Sequence, residues 1–237
     1  MNKFRFPPDG DVLQDLSQTY GYTGDLARAF SETKQGMVNK WHHYLPLYDR
    51  YFSAWRGKPF RMLEVGVSHG GSLSMWRRWF GPDVRIFGID INPRCARYDG
   101  IFAQVRIGSQ DDHEFLGRVV DEMGGVDLVL DDGSHQMDHV RESFRALFPR
   151  LSDGGIYMIE DMHTAYMPQF GGGLGAASNI FRLASELVDD MHHWYHGAEP
   201  RDVERAATVA GVHVHDSILV IDKQKVQRPR FSKVGRA

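Results

Sequence analysis

The spacing of apolar residues divides the chain into two unlike regions. Up to about residue 60 it is helical and comes in pieces. Tyr44, Leu45, Leu47, Tyr48 and Phe52 fall at helix-compatible intervals within 12–52, after the turn-rich start Phe6-Pro7-Pro8-Asp9-Gly10. Gly57-Lys58-Pro59 ends that region. From Arg61 onward short apolar runs alternate with amphipathic stretches. The runs 62–67, 85–91, 103–108, 127–130 and 155–159 predict five strands. Between them lie three helical patterns, with Leu73, Trp76 and Phe80 on the first, Phe115, Val119 and Met123 on the second, and Val140, Phe144, Leu147 and Leu151 on the third. A further stripe of Ile180, Ala184, Leu187 and Met191 predicts a helix after Gly171-Gly172-Gly173. The segment 212–223 reads as two short strands turning at Asp216-Ser217.

Strands alternating with helices of this length imply βαβ units, a mostly parallel sheet and right-handed crossovers. The expected fold is therefore a Rossmann-like, doubly wound α/β sheet. Its domain spans 61–224, with a short helical extension over 1–60 and a basic tail over 225–237. The length of 237 residues is that of one large domain with a modest extension.

Composition narrows the class of protein. With 28 Lys+Arg against 31 Asp+Glu the net charge is −3, so no basic stripe argues for a nucleic acid partner. The single Cys95 rules out an internal disulfide and fits a reducing, cytoplasmic setting. No apolar run is long enough for a membrane span and no basic-then-apolar leader opens the chain, so neither membrane insertion nor secretion is expected.

Chemistry concentrates at three strand ends. The turn Glu64-Val65-Gly66-Val67-Ser68-His69-Gly70-Gly71-Ser72 follows the first strand, and Asp90 closes the second, where an acid can accept hydrogen bonds from both hydroxyls of a ribose. A dinucleotide turn wants glycine where Ser68 stands, so this spacing suits S-adenosylmethionine better than a nicotinamide cofactor. Asp131-Asp132-Gly133-Ser134-His135 ends the fourth strand and Glu160-Asp161-Met162-His163 the fifth. Taken alone, each is an ordinary turn or solvated strand end. If the two strands are neighbours, about 4.8 Å apart, Asp132, Glu160 and Asp161 converge. Three carboxylates without a thiolate favour a hard cation, Mg²⁺ before Zn²⁺. His135 would lean over the same mouth, placed to take a proton from a hydroxyl that the cation has acidified.

The motifs LEVGVSHGGSLSMW, FGIDI, GSQDD, DDGSH and IEDMHTAY together resemble the metal-dependent sugar O-methyltransferases, typified by mycinamicin VI 2″-O-methyltransferase and including macrolide-sugar and mycobacterial polysaccharide methyltransferases. The resemblance runs over roughly residues 40–223, with DDGSH and IED its most specific part. It implies a class I methyltransferase sheet, Asp132, Glu160 and Asp161 as Mg²⁺ ligands, and His135 as general base. It also implies that Glu64, Gly66, Ser72, Asp90, Ser109 and Gln110 border S-adenosylmethionine. The acceptor implied is a sugar hydroxyl on a saccharide or glycosylated small molecule, the assembly a homo-oligomer. The typifying enzyme carries a separate N-terminal domain much longer than residues 1–60 here.

Competing readings are an Mg²⁺-dependent methyltransferase with a catechol-like acceptor, a nicotinamide-dependent oxidoreductase, and a non-catalytic binding protein. The stretch 167–176 (MPQFGGGLGA) reads as a lid or a plain surface loop with equal weight. His42-His43, His192-His193-His196 and His213/His215 are read as surface or packing residues, and the aromatics of 41–55 as packing against the sheet.

Overall fold

The computed structural model describes residues 4–235; Met1–Lys3 and the end of the basic tail, Arg236-Ala237, lie outside the described residues. Seven strands form one sheet: β1 (Arg61–Val65), β2 (Arg85–Asp90), β3 (Gln104–Ile107), β4 (Val126–Asp131), β5 (Leu151–Ile159), β6 (Val209–His215) and β7 (Ile218–Lys223). Their order is β3-β2-β1-β4-β5-β7-β6. The first five are parallel, while β7 runs antiparallel between β5 and β6. Met62-Leu63 of β1 and Leu128-Val129-Leu130 of β4 are apolar on both sides because helices cover both faces of the sheet.

One face is covered by α5 (His113–Met123), α6 (Met137–Leu147) and α7 (Phe181–Met191), whose Val119, Phe144 and Leu187 share a core with Leu63, Val129 and Tyr157. The other face is covered by α1 (Val12–Tyr20), α2 (Asp25–Ser31), α3 (Tyr44–Phe52) and α4 (Gly71–Phe80). Thus the N-terminal extension supplies three of the four helices of one layer. Tyr44, Tyr48 and Phe52 are fully buried, packed in one cluster with Trp76, Leu130, Met158 and Val220. That apolar burial, about 1.5–3 kcal/mol for each such side chain, ties residues 12–52 to the sheet.

Three details differ from the sequence expectation. β5 begins at Leu151, not Gly155, because Ser152-Asp153-Gly154 interrupts the apolar run; the β4–β5 register shifts between Val126 and Leu128. β6 begins at Val209 rather than 212, its burial being mixed along its length. Two one-turn helices, α8 (His193–His196) and α9 (Val203–Ala206), are too short to carry a periodic signal. No helix among the described residues is long and apolar enough to cross a membrane.

Candidate active site

The backbone ladder continues one residue past each central strand and so fixes the loops to the sheet. Gly66 N–H donates to Ile89 O, Asp132 N–H to Val65 O and Glu160 N–H to Asp131 O, at 2.8–2.9 Å. Successive strand residues face opposite sides, so parity assigns the acids. Met62, Leu128, Leu130 and Met158 belong to the core under α1–α4. By the same parity Glu64, Asp132 and Glu160 turn toward that layer, whereas Asp131 turns toward α5–α7. Asp131 is buried there, accepting from Ser143 Oγ (2.6 Å), Tyr157 O–H (3.1 Å) and Gln110 Nε2 (3.2 Å). Of the Asp-Asp pair, then, only Asp132 is free for the mouth.

Three acids on one side need a cation, and the protein supplies one that the sequence reading missed. Lys40, in the loop before α3, donates to Asp132 Oδ2 (2.5 Å) and to both oxygens of Glu160 (2.8 and 2.9 Å). Its side chain is 2% exposed. Burial would push its ammonium down, but the carboxylates of Asp132, Glu160 and Glu64 outweigh that and raise its pKa. The signal available in the sequence was this charge requirement: three converging acids call for a cation, and Lys40 is the one lysine or arginine between Lys34 and Arg50.

At the mouth, His135 Nε2 lies 3.8 Å from Asp132 Oδ1 and 3.7 Å from Asp161 Oδ2. Among the described residues, Asp132, His135 and Asp161 form the one cluster whose ligand atoms all lie within 4.8 Å of one another. The other oxygen of Asp161, Oδ1, accepts from Tyr44 O–H at 2.8 Å. Glu160, expected beside these, sits behind them on Lys40, with its side chain 1% exposed. Among the described residues four non-glycine positions have positive φ; His135 (58°) and Asp161 (54°) belong to this mouth, and Ser68 (50°) to the glycine turn. Each such backbone costs about 1–3 kcal/mol and persists where the surroundings impose it, commonly at functional sites. The fourth, Ser217 (63°), sits at the β6–β7 turn; its Oγ lies 2.7 Å from His163 Nδ1 and its carbonyl accepts from Met162 N–H.

The glycine turn lies one strand away. Gly66 has φ 95°, and a Cβ there would come within 2.1 Å of Asp132 O, so only glycine lets the two loops pass. Glu64 is fully buried, accepting from Ser72 Oγ (3.0 Å) and Trp76 Nε1 (3.3 Å). Burial pushes its carboxyl up to about 7, against the pull of Lys40. Asp90 Oδ2 accepts from the N–H groups of Val67 (3.0 Å) and Ser68 (2.8 Å), and Oδ1 from Asn92 N–H (2.8 Å), which ties the glycine turn to the end of β2. Ser109 Oγ donates to Asp111 within its own turn. Gln110 is buried and braces the DDGSH loop, since Oε1 accepts from Ser134 N–H (2.6 Å) and Nε2 reaches Asp131.

The stretch 167–176 is pinned. Gly173 N–H donates to Ala165 O (2.8 Å), Asn179 Nδ2 donates to Ala165 O and Gly173 O, and Gln136 Nε2 donates to Gln169 O (3.2 Å). A Cβ on Gly172 would meet Ala165 O at 2.3 Å. Gly172 thus serves close packing, and Phe170 stands beside His135 with ring centroids 6.3 Å apart.

A sheet ordered 3-2-1-4-5-7-6 with a glycine turn after β1 and an acid ending β2 defines a class I methyltransferase fold, and residues 63–162 match the family described as a methyltransferase domain. Among such proteins, the chain's close relatives are sugar O-methyltransferases of natural-product biosynthesis. It is 38% identical over 212 residues to the 8-demethyl-8-(2-methoxy-α-L-rhamnosyl)-tetracenomycin-C 3′-O-methyltransferase of Streptomyces olivaceus, covering 84% of this chain and 54% of that protein. It is also 38% identical over 213 residues to mycinamicin VI 2″-O-methyltransferase of Micromonospora griseorubida, covering 84% and 52%. The solved structure of the MycE methyltransferase of the mycinamycin pathway, in complex with Mg, SAH and mycinamycin VI, superposes with a TM-score of 0.73 at 34% identity, over 92% of this chain and 54% of that one. The chain thus spans about half the length of the relatives it matches.

Proposed function

We propose that the protein transfers a methyl group from S-adenosylmethionine to a hydroxyl of a sugar, on a saccharide or glycosylated small molecule, with the help of Mg²⁺. The observation that carries this reading is the meeting of Asp132 Oδ1, His135 Nε2 and Asp161 Oδ2 one strand away from the Glu64–Ser72 turn. Two carboxylate oxygens turned toward one point, without a thiolate, fit a hard divalent cation with positions left open for an acceptor, and the imidazole beside them is placed to take that acceptor's proton. Bound there, Mg²⁺ supplies acidity to the hydroxyl it holds, and S-adenosylmethionine supplies an electrophilic methyl carbon.

In this reading Asp132 and Asp161 hold the cation, with Glu160 as third acid beside Lys40. Glu64, Gly66, Ser72 and Asp90 shape the cofactor cleft, with Ser109 and Gln110 at its rim. His135 takes the hydroxyl proton at Nε2 as the carbon–oxygen bond forms and the carbon–sulfur bond breaks, so that S-adenosylhomocysteine leaves. Orientation of the hydroxyl opposite the sulfur provides much of the acceleration. Residues 61–224 are the transferring unit, with 1–60 as its annex and 225–237 as a tail. A cytoplasmic homo-oligomer acting on small glycosides, without nucleic acid or membrane partners, completes the proposal.

A second reading is favoured by one observation: both oxygens of Glu160 are engaged by Lys40. In it His135 is the third ligand in place of Glu160, and the proton goes to solvent. His135→Ala separates the two, since loss of turnover with intact metal affinity supports the base and loss of metal affinity supports the ligand. The function itself is tested by incubating the full chain with methyl-labelled S-adenosylmethionine, Mg²⁺ and a panel of rhamnosides and catechols. Label on a rhamnoside, abolished by EDTA, is the expected result. Label on catechols alone, or transfer indifferent to EDTA, contradicts it.

A further inference from the structure

The two mouth acids share an arrangement. Each has one oxygen tied from the N-terminal layer and the other turned toward His135. Asp132 gives Oδ2 to Lys40 and keeps Oδ1 for the mouth; Asp161 gives Oδ1 to Tyr44 and keeps Oδ2. Lys40 and Tyr44 stand one helical turn apart in sequence at the entry to α3, whose Leu45, Tyr48 and Phe52 are locked in the core. Tyr44 opens that helix with its ring fully buried, and Lys40, four residues earlier, is buried as well. A carboxylate with a single fixed donor on its rear oxygen loses rotational freedom about its terminal bond, so its front oxygen is aimed before any ligand arrives. Groups of this kind, behind metal ligands, set ligand orientation and affinity.

From these contacts we infer that Lys40 and Tyr44 are positioning residues for the metal centre: Tyr44 aims Asp161, and Lys40 aims Asp132 while acting as the resident counter-ion of Glu160 and Asp132. The inference rests on the metal-dependent reading above. It gives residues 40–44 a defined part in the chemistry, where aromatic packing alone was expected.

The two residues differ in what their loss does. Tyr44→Phe keeps the buried ring and removes the hydroxyl that donates to Asp161 Oδ1 at 2.8 Å and, at 3.4 Å, to Ser217 O, leaving Asp161 free to turn. Lys40→Met removes the ammonium that contacts Asp132 and the buried Glu160, and unpaired buried charge is strongly destabilising. A divalent cation would then restore charge balance that the wild type already has.

The test uses the full chain, with Mn²⁺ titrated by water-proton relaxation, S-adenosylhomocysteine by calorimetry, and melting followed in EDTA and in saturating Mg²⁺. Tyr44→Phe is expected to weaken Mn²⁺ by about 10–100-fold while S-adenosylhomocysteine affinity stays within about twofold. Lys40→Met is expected to melt lower than wild type in EDTA and to gain more from Mg²⁺ than wild type does; Lys40→Arg, which keeps the charge, restores the wild-type response. Unchanged Mn²⁺ affinity in Tyr44→Phe, or an equal loss of S-adenosylhomocysteine affinity, overturns the role of Tyr44. An equal Mg²⁺ gain in Lys40→Met and wild type overturns that of Lys40. If Lys40→Met does not fold, Lys40→Arg decides: an Mn²⁺ affinity reduced by more than the Tyr44→Phe loss overturns the counter-ion role, and wild-type affinity supports it. Failure of the wild type itself to bind Mn²⁺ defeats the metal-dependent reading instead.

Discussion

The glycine turn after β1 and the acid cluster after β4 and β5 lie side by side, yet they are built on opposite plans. In the turn both acids are already engaged within the protein. Asp90 is bonded to three backbone N–H groups, and Glu64 to Ser72 and Trp76. At the cluster, Asp132 and Asp161 each turn an oxygen toward the imidazole nitrogen of His135, at 3.8 and 3.7 Å. Those distances are too long for a hydrogen bond. A cleft preformed by backbone can receive a ligand that brings its own shape. A ring of half-satisfied acids asks for a cation. The comparison teaches that the two sites should fail independently under mutation, even though Gly66 and Asp132 touch.

The largest effect should come from the cluster. Asp161→Ala is expected to remove metal-dependent turnover, on the order of 10³-fold or more, because several kcal/mol of charge stabilisation is lost. Calorimetry of the same variant should show S-adenosylhomocysteine affinity little changed; a parallel loss would merge the two sites into one. His135→Ala should slow the chemical step by about 10²–10⁴-fold in single-turnover assays, and a wild-type rate would remove it as base. Gln110→Ala sharpens the comparison from the other side. It leaves Ser134 N–H without its acceptor and Asp131 with one donor fewer beside Ser143 and Tyr157, so a stability loss of about 1–3 kcal/mol is expected in urea unfolding. Cofactor affinity should move less; if it falls steeply while stability holds, Gln110 touches the cofactor directly.

The smallest effect concerns pH. Burial holds the Glu64 carboxyl near 7 against an ordinary value of 4.5, so the folded state binds the extra proton between those limits. Stability from this group therefore declines as pH rises from about 4.5 to about 7. Glu64→Gln should flatten that slope in unfolding measured across the window. An unchanged slope would mean that Glu64 is already ionised in the folded protein.

Much of this was legible in the sequence because strand parity and strand ends obey simple rules. The runs at 62–67 and 127–130 marked β1 and β4 within a residue or two, while the opposite facing of Asp131 and Asp132 emerged only with the two helix layers in place. The β6–β7 turn at Asp216-Ser217 was also visible, although not that Ser217 would brace His163. What stayed hidden depends on contacts distant in sequence. Lys40 meets Asp132 and Glu160 across most of the domain, and no local pattern records that pairing. Tyr44 looked like core, which it is at its ring, while its hydroxyl serves Asp161. The glycines of 171–173 suggested freedom of movement, but tight packing against Ala165 demands glycine as well. Gln110 and Asp90 had the right residue types for a cofactor rim, and only the fold revealed how much of their capacity the backbone takes.

The most direct measurement is calorimetric titration of S-adenosylhomocysteine into EDTA-treated protein, followed by the same titration with Mg²⁺ and a rhamnoside present. The account predicts micromolar binding of S-adenosylhomocysteine without metal, and rhamnoside binding that appears only when Mg²⁺ is added. Absence of S-adenosylhomocysteine binding, or rhamnoside binding indifferent to Mg²⁺, would contradict it.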